Sequence, residues 1–178
     1  MVQTVSVLLA ILCSGGLFCV DYIKEGSRAM AEDRYDVAYM MYEKAAKQGN
    51  PDAYYNIGGM FFNGQGFKKD YDVALKWFLK GSKAGHARSS FMAANMYENA
   101  TGGVEQSYDK ALGLYELSAE QGLKRSYCNL GRMYAEGWGV EKDLEKAADL
   151  LLMAAKEKEK NKYCQAVWHK FKLDMYMN

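Results

Sequence analysis

A segment of about 36 residues that repeats along the chain constrains its fold more than any other sequence feature. The motif Tyr-Asp-Val-Ala begins at Tyr35 and again at Tyr71, and related motifs begin at Tyr108 and Leu144. Successive copies are therefore 36, 37 and 36 residues apart. A unit of this length buries its apolar face only by stacking on its neighbours. The sequence thus predicts a stack of similar units.

Each copy carries the signals of two helices. One helix follows a residue that caps helix N-termini well, and it ends at a glycine typical of the position after a helix. The capping residues are Asp70, Ser107 and Asp143, and the terminal glycines are Gly49, Gly85 and Gly122. The other helix carries a glycine or alanine, at positions 58, 94 and 131, where we expect its partner helix to approach closely.

Composition agrees with helices and excludes several classes of protein. The chain has one proline against 17 glycines, and runs of β-branched residues are absent after residue 20, which argues against a sheet. Apolar residues make up 49% of the 178 residues, so the chain can form a core and is not a disordered protein. The net charge of +1 gives no reason to expect a nucleic-acid partner.

The last copy carries a family resemblance. Its pattern Leu130-Gly131-x-Met133-Tyr134-x-x-Gly137-x-Gly139-Val140-x-x-Asp143-x-x-Lys146-Ala147 resembles the Sel-one-like repeat, a relative of the tetratricopeptide repeat. The segment from Ile57 to Ala74 matches the same pattern, while the middle copy has alanine at two glycine positions. The resemblance covers about residues 21–157. It implies an all-α fold, a right-handed α-solenoid of antiparallel helix pairs that contacts other proteins.

The repeat also sets the expected domain boundaries. Residues 21–178 are predicted to form one repeat domain of about four units, at 21–49, 50–85, 86–122 and 123–158. Residues 160–178 are predicted to form a helix that caps the last unit, because terminal repeats need a solvated outer face. The face that would pack on the last unit carries Cys164, Val167, Trp168, Phe171 and Met175.

Residues 1–20 carry no charged side chain, and charges begin at Asp21. This pattern favours a secretory signal peptide with an apolar core from Val5 to Leu12. An uncleaved membrane anchor, a lipid-modified cysteine and a buried first helix are the alternatives. We therefore expect an exported protein of the bacterial periplasm or cell envelope, which contacts a membrane only through an uncleaved N-terminal segment.

Cys128 and Cys164 are separated by one repeat length. Stacked helices pack roughly 8–10 Å apart, whereas a disulfide needs Cα atoms within about 7 Å of each other. The sequence therefore predicts two small buried residues rather than a bonded pair.

Catalytic and metal-binding patterns are absent from the sequence. His86 and His169 are the two histidines, and neither belongs to a cluster with metal-ligand spacing. We expect both to be solvated. The glycine-rich turns lack the Lys-Ser/Thr pair of a phosphate loop. The sequence thus predicts a protein that is not an enzyme and that needs neither a metal nor a cofactor.

The resemblance places the first helix of each repeat on a concave wall, where a protein or peptide would bind. The predicted partner-binding residues are Tyr55, Phe62, Asn63, Arg88, Phe91, Asn95, Asn99, Arg132 and Glu136. The aromatic rings would anchor the partner, the asparagines would bind an extended backbone, and the arginines would pair with carboxylates. In the alternative interpretation this is an ordinary surface, with Tyr55 and Phe91 packed between repeats.

The leading functional hypothesis is a non-enzymatic adaptor of the cell envelope that holds a protein in its groove. The resemblance extends this role to an immunity or inhibitor protein. One alternative is a weak β-lactamase-like hydrolase, as in cysteine-rich relatives, although the cysteine pairs within each repeat are missing here. The other is a lumenal adaptor of protein quality control, if the source is eukaryotic.

Overall fold

A computed structural model describes residues 20–155 and 162–176 of the chain. Within these residues, nine α-helices follow one another and no strand occurs. The helices are α1 (Tyr22–Ala31), α2 (Tyr35–Lys47), α3 (Pro51–Asn63), α4 (Tyr71–Lys83), α5 (Ala87–Glu98), α6 (Tyr108–Glu120), α7 (Ser126–Glu136), α8 (Leu144–Ala155) and α9 (Lys162–Phe171). Two short 3₁₀ turns span Thr101–Gly103 and Leu173–Tyr176. The predictions for residues 1–19 lie outside the described residues.

Helices pack in pairs, and the pairs stack along the chain. The four pairs are α1 with α2, α3 with α4, α5 with α6, and α7 with α8, and each second helix also packs on the first helix of the next pair. The last helix, α9, packs on α7 and α8. This arrangement is an all-α solenoid, so the predicted fold class is confirmed.

The predicted helix boundaries depend on local signals, and the structure confirms them. Side chains accept a backbone N–H at the start of α4, α6 and α8, and the accepting residues are Asp70, Ser107 and Asp143. The three predicted terminal glycines, Gly49, Gly85 and Gly122, have φ values of +80°, +84° and +97°. A side chain at such a φ is strained, which explains why glycine ends each of these helices.

Small residues let the two helices of a pair interlock, as predicted. A Cβ atom added to Gly58 would lie 2.7 Å from the Phe78 ring, and one added to Gly131 would lie 2.7 Å from Leu151. Contacts that short do not occur between real side chains, so these helices approach as closely as glycine allows. Ala94, at the equivalent position of the middle repeat, is fully buried.

The end of the chain differs from the prediction of one continuous helix. Helix α9 ends at Phe171, and Lys172 has a φ of +51°, which stops the helix. The chain then turns into the second 3₁₀ segment, where Leu173 is fully buried and Met175 is 76% exposed. Met175 therefore does not lie on the packed face, as the sequence had suggested, because the left-handed turn puts Leu173 there instead. Trp168 packs against the core cluster that includes Leu151, as a capping helix requires.

The structure also corrects the prediction for the two cysteines, which form a disulfide. The Cα atoms of Cys128 and Cys164 lie 5.2 Å apart, although both residues are buried as expected. The error arose because roughly 8–10 Å is the distance between helix axes. Cα atoms that face each other across the contact are closer by about twice the helix radius of 2.3 Å. The bond covalently ties α9 to α7.

Candidate functional site: the first-helix wall

The first helices of the repeats form one continuous surface, which we call the first-helix wall. It consists of α1, α3, α5, α7 and the capping helix α9, and neighbouring members α3 and α5, and α7 and α9, contact one another. Positions one repeat apart lie beside each other on this wall. The equivalent sets are Gly59, Asn95 and Arg132; Phe62, Glu98 and Ala135; and Asn63, Asn99 and Glu136.

An uncharged groove opens on this wall between α1, α3 and α5, with a volume of about 260 Å³. We call it the aromatic groove. The residues that line it are Met30, Tyr42, Tyr55, Asn56, Gly59, Phe62, Asn63, Gln65, Phe78 and Met92. Tyr42 and Phe78 are buried beneath it, whereas Met30, Phe62 and Met92 are partly exposed. Apolar side chains in this groove therefore meet solvent.

Gly59 keeps the groove open. A Cβ atom added at this position would meet no atom within 4 Å, so the glycine is not needed for packing. The rings beside it are held in place by other rings. Phe62 packs edge-to-face on Tyr71 at 5.2 Å, and Tyr55 lies 6.0 Å from the Phe78 ring, measured between centroids. The groove is thus preformed by the core beneath it.

Asparagine side chains run along the wall beside the groove. Asn56 forms no side-chain hydrogen bond within the described part of the chain, and Asn63 donates to Gln65 at 3.4 Å. Asn95 and Asn99 donate to carbonyl oxygens of their own helix, at 3.1 and 2.9 Å. The amide oxygens of these last two residues remain free to accept hydrogen bonds from a ligand.

The part of the wall between α5, α7 and α9 differs from the aromatic groove, because an ion pair between two wall residues lies there. The Glu98 side chain is only 3% exposed, and its Oε1 accepts a hydrogen bond from the Arg132 guanidinium. Its Oε2 accepts from the Tyr115 hydroxyl at 2.7 Å. Burial first, and then the neighbouring Glu98 carboxylate, raises the pKa of Tyr115 far above its usual value. The phenol therefore stays a hydrogen-bond donor at any physiological pH.

Further contacts cover the same region. The Arg132 guanidinium lies 4.8 Å from the Trp138 ring centroid and 5.6 Å from that of Tyr163. The Glu136 carboxylate pairs with the Lys170 ammonium group of α9 at 2.5 Å. This ion pair joins the same two helices, α7 and α9, as the Cys128–Cys164 disulfide. The two carboxylates on this part of the wall, Glu98 and Glu136, are thus paired within the protein.

The structure brings together part of the predicted partner-binding set. Tyr55, Phe62 and Asn63 line the aromatic groove, and Arg88 is exposed one helical turn before Met92. Asn95 and Asn99 lie on the same wall, with their side-chain nitrogens bonded to α5. Arg132 and Glu136 are held in the ion pairs described above.

Phe91 differs most from its predicted role. It is only 9% exposed and packs edge-to-face on Tyr115 at 5.5 Å, with the Arg125 guanidinium 5.2 Å from its ring. The expected exposed anchor is therefore a core residue, as in the alternative interpretation. The side chain turns inward because the opposing helix α6 presents Tyr115 to it.

Met30, Asn56 and Met92 are among the groove residues that sequence reasoning missed. Aligning Gly26 with Gly58 pairs Met30 with Phe62 and would have found the first. Asn56 and Met92 occupy equivalent positions of successive repeats, each one residue after a predicted site residue, Tyr55 or Phe91. A prediction that included these next residues would have found both.

His86 is not the solvated residue that the sequence predicted. Its Nδ1 accepts the Ser89 backbone N–H at 3.2 Å and so caps α5, while its Nε2 lies 3.1 Å from the Asp52 carboxylate. Burial lowers the pKa of His86 from its usual value, with Asp52 opposing the shift. In the neutral ring, Nε2–H donates to Asp52, and the residue links α3 to α5.

Two kinds of feature are absent from residues 20–155 and 162–176. There, no three His, Cys, Asp or Glu side chains form a group that could hold a metal ion. In the same ranges, no helix has both the length and the apolar character needed to cross a bilayer.

Comparisons with known proteins agree with this architecture. A sel1-like repeat-containing protein of Acanthamoeba polyphaga mimivirus is 32% identical over 106 residues, which cover 60% of this chain and 19% of the viral protein. The ERAD-associated E3 ubiquitin-protein ligase component HRD3A of Arabidopsis thaliana is 34% identical over 44% of this chain and 12% of its own length. The chain thus spans less than a fifth of either relative.

Solved structures show the same fold. The crystal structure of a Sel1 repeat protein from Oxalobacter formigenes has a TM-score of 0.71 and 27% identity, over 82% of this chain and 61% of that one. Helicobacter pylori cysteine rich protein B has a TM-score of 0.52 and 17% identity, over 70% of this chain and 93% of that protein, and shows the fold alone.

A family model matches nearly all of the described repeats. The model is that of the Sel1 repeat, and it matches residues 25–50, 51–86, 87–123 and 124–158. These segments cover the four helix pairs, α1–α2 through α7–α8, apart from the first three residues of α1. Proteins built from this repeat are generally non-catalytic and mediate protein–protein contacts. With its paired helices, its glycine contacts and these four matches, the chain belongs to the Sel1 repeat family.

Proposed function

We propose that this protein is a non-enzymatic adaptor that holds a protein or peptide on its first-helix wall. The observation that carries the proposal is the aromatic groove, an uncharged opening of about 260 Å³ in which Met30, Phe62 and Met92 meet solvent. Partly exposed aromatic and methionine side chains in a preformed groove are typical of surfaces that bind other proteins. The general role of Sel1 repeat proteins supports the same function.

We further propose that the protein works outside the reducing cytosol, in a bacterial envelope. Disulfides persist in oxidising compartments, and the Cys128–Cys164 bond supports such a location. The charge-free segment at residues 1–20 supports export in the same way. A role as an immunity or inhibitor protein is one form of this function.

A lumenal adaptor of protein quality control is the second candidate. The similarity to HRD3A, which is a component of an ERAD-associated ubiquitin ligase, favours it. The oxidising endoplasmic reticulum would preserve the same disulfide. Fractionation of the native source distinguishes the two, because the envelope adaptor would be recovered with periplasmic or envelope proteins and the lumenal adaptor with microsomes.

Site-specific crosslinking tests the proposed surface. A photoreactive amino acid at the exposed wall position Asn63 is expected to crosslink the partner in the native host. The same amino acid at Lys76, which is exposed on α4, serves as the matched control and is expected to give no product. Crosslinks from Lys76 or from Glu116 on α6, with none from Asn63, would place the partner on the opposite face and contradict the proposal.

A further inference from the structure

We infer that the aromatic groove takes one large apolar side chain from an extended, acidic peptide segment of the partner. This inference rests on the proposed function and names the chemistry that the wall would recognise. Three observations lead to it: the size of the groove, the amides beside it, and two arginines without ion-pair partners on the same wall.

The size of the groove fits a side chain better than a small molecule. Clefts that bind drug-sized ligands or cofactors have volumes of roughly 300–1,000 Å³, whereas this groove has about 260 Å³. Its lining is aromatic, thioether and amide, and it contains no charged residue. A leucine, methionine or aromatic side chain would bury apolar surface there without leaving a charge unpaired.

Amide groups provide for the peptide backbone on either side of that side chain. Asn56 lines the groove and forms no side-chain hydrogen bond within the described chain. Asn95 and Asn99 follow one and two turns after Phe91 on the neighbouring helix, with their amide oxygens free to accept. An extended peptide offers backbone N–H and C=O groups to such side chains all along its length.

The charges beside the groove favour a negatively charged partner. Arg88 lies one turn before the groove residue Met92, so the two side chains share one face of α5. Arg88 is exposed and makes no ion pair with any described residue. Arg125 occupies the equivalent position of the next repeat. It also makes no ion pair with any described residue, and its guanidinium contacts the Phe91 ring.

The carboxylates on helices α3 and α5 are already engaged. Asp52 approaches His86, and Glu98 is held by Arg132 and Tyr115. Neither neutralises the two arginines. An aspartate or glutamate within a few residues of the apolar anchor would pair with them, and a guanidinium binds a carboxylate through two parallel hydrogen bonds.

Gly59 and Gly113 provide a matched test. A Cβ atom added at either glycine would meet no atom within 4 Å, and both lie inside helices. Gly59 faces the groove, whereas Gly113 is exposed on α6, at the position equivalent to Lys76 of α4. Gly59→Leu fills the groove, and Gly113→Leu makes the same change away from it. Both variants are expected to melt at or above the temperature of the parent.

The probe is a display library of random twelve-residue peptides, selected on the full chain. Enriched peptides are expected to share one leucine, methionine or aromatic residue with an acidic residue nearby. Gly59→Leu should weaken their binding about tenfold or more in fluorescence anisotropy, as loss of an anchor does, while Gly113→Leu leaves it unchanged. Arg88→Glu should weaken binding about fivefold at low salt and less in high salt, and the control Lys76→Glu should not.

The outcomes separate the inference from the proposed function. Peptides that crosslink to Asn63 yet bind Gly59→Leu as well as the parent would overturn the inference and leave the first-helix wall as the binding surface. Peptides that bind only the outer helices would overturn both. A selection that enriches no peptide, or that enriches basic peptides, would contradict the inference. A dimer of this chain that dissociates on Gly59→Leu would also contradict it, because a second copy of the chain would then occupy the groove.

Discussion

The two ends of the first-helix wall use the same repeat positions in opposite ways. In the half of the wall around α1, α3 and α5, which we call the open half, Gly59 and Phe62 face solvent in the aromatic groove. In the half around α5, α7 and α9, which we call the closed half, Glu98 takes the place of Phe62 one repeat later and Arg132 takes the place of Gly59 two repeats later. These two residues pair with each other. The repeat therefore fixes where a side chain points, while the chemical identity of that side chain decides whether the wall is open to solvent.

The closed half gains rigidity from the contacts that remove it from solvent. Glu98 and Arg132 come from successive repeats, and Glu136 and Lys170 join α7 to α9. The disulfide between α7 and α9 adds a covalent link. These contacts tie the last helix of the solenoid to the repeat before it.

The largest expected effect comes from breaking the buried ion pair. Glu98→Ala would leave the Arg132 guanidinium without its counter-charge and the Tyr115 hydroxyl without its acceptor. Removing one member of a buried pair costs about 3–5 kcal/mol of the free energy of unfolding. Urea unfolding of the purified variant measures this loss.

The equivalent position in the open half supplies the control. Phe62 is only partly buried, so Phe62→Ala should cost about 1–2 kcal/mol, less than for a fully buried aromatic side chain. If the two variants lost equal stability, the distinction between a closed and an open half would have no energetic basis.

Reducing the disulfide is expected to have the next largest effect. The bond closes a loop between residues 36 apart, and losing it should cost about 2–4 kcal/mol. Hydrogen exchange should then increase in α9 and α7, while α1 to α4 keep their protection. A variant with serine at both Cys128 and Cys164 is the control, and its stability should not respond to reductant. A parent protein whose stability is the same with and without reductant would show that the bond adds nothing to the closed half.

The sequence predicted the solenoid because helix caps, terminal glycines and small contact residues act within one repeat. Asp70 caps α4 and Gly58 admits Phe78 through local geometry, which the residue spacing already contains. The closed half was not predicted, because the Glu98–Arg132 contact depends on how one repeat is rotated against the next. Phe91 was missed for a different reason, because its burial depends on its contact with Tyr115 of the facing helix in its own repeat.

Alanine substitutions at two adjacent glycines are expected to change the stability of the protein in opposite directions. Gly58→Ala would push a Cβ atom to 2.7 Å from the Phe78 ring, so it should destabilise the protein by about 1–3 kcal/mol. Gly59→Ala meets no atom and should stabilise it by about 0.5–1 kcal/mol, because alanine favours the helix. Thermal melts of the two variants measure the difference. A loss of stability in both would mean that Gly59 is packed and the groove is not open.

The smallest expected effect is a pH dependence confined to the open half. Burial lowers the pKa of His86 in the folded protein, so the unfolded chain binds the proton more tightly. The stability contributed by neutral His86 is therefore present above its unfolded pKa of about 6.5 and is lost as the pH falls from there toward the folded value. Protonation of Nδ1 also removes the acceptor that caps α5 at Ser89.

Melting temperatures at about pH 7.5 and about pH 5.5 test this, on either side of the usual histidine pKa. The parent should lose more stability on acidification than His86→Asn, because asparagine keeps a capping side chain but does not titrate. Hydrogen exchange should locate the difference at the start of α5, with α7 and α9 unaffected. The opposite result, a parent that gains stability in acid, would mean that the charged ring pairs with Asp52 more strongly than burial opposes it, and the contact between α3 and α5 would then be an ion pair like those of the closed half.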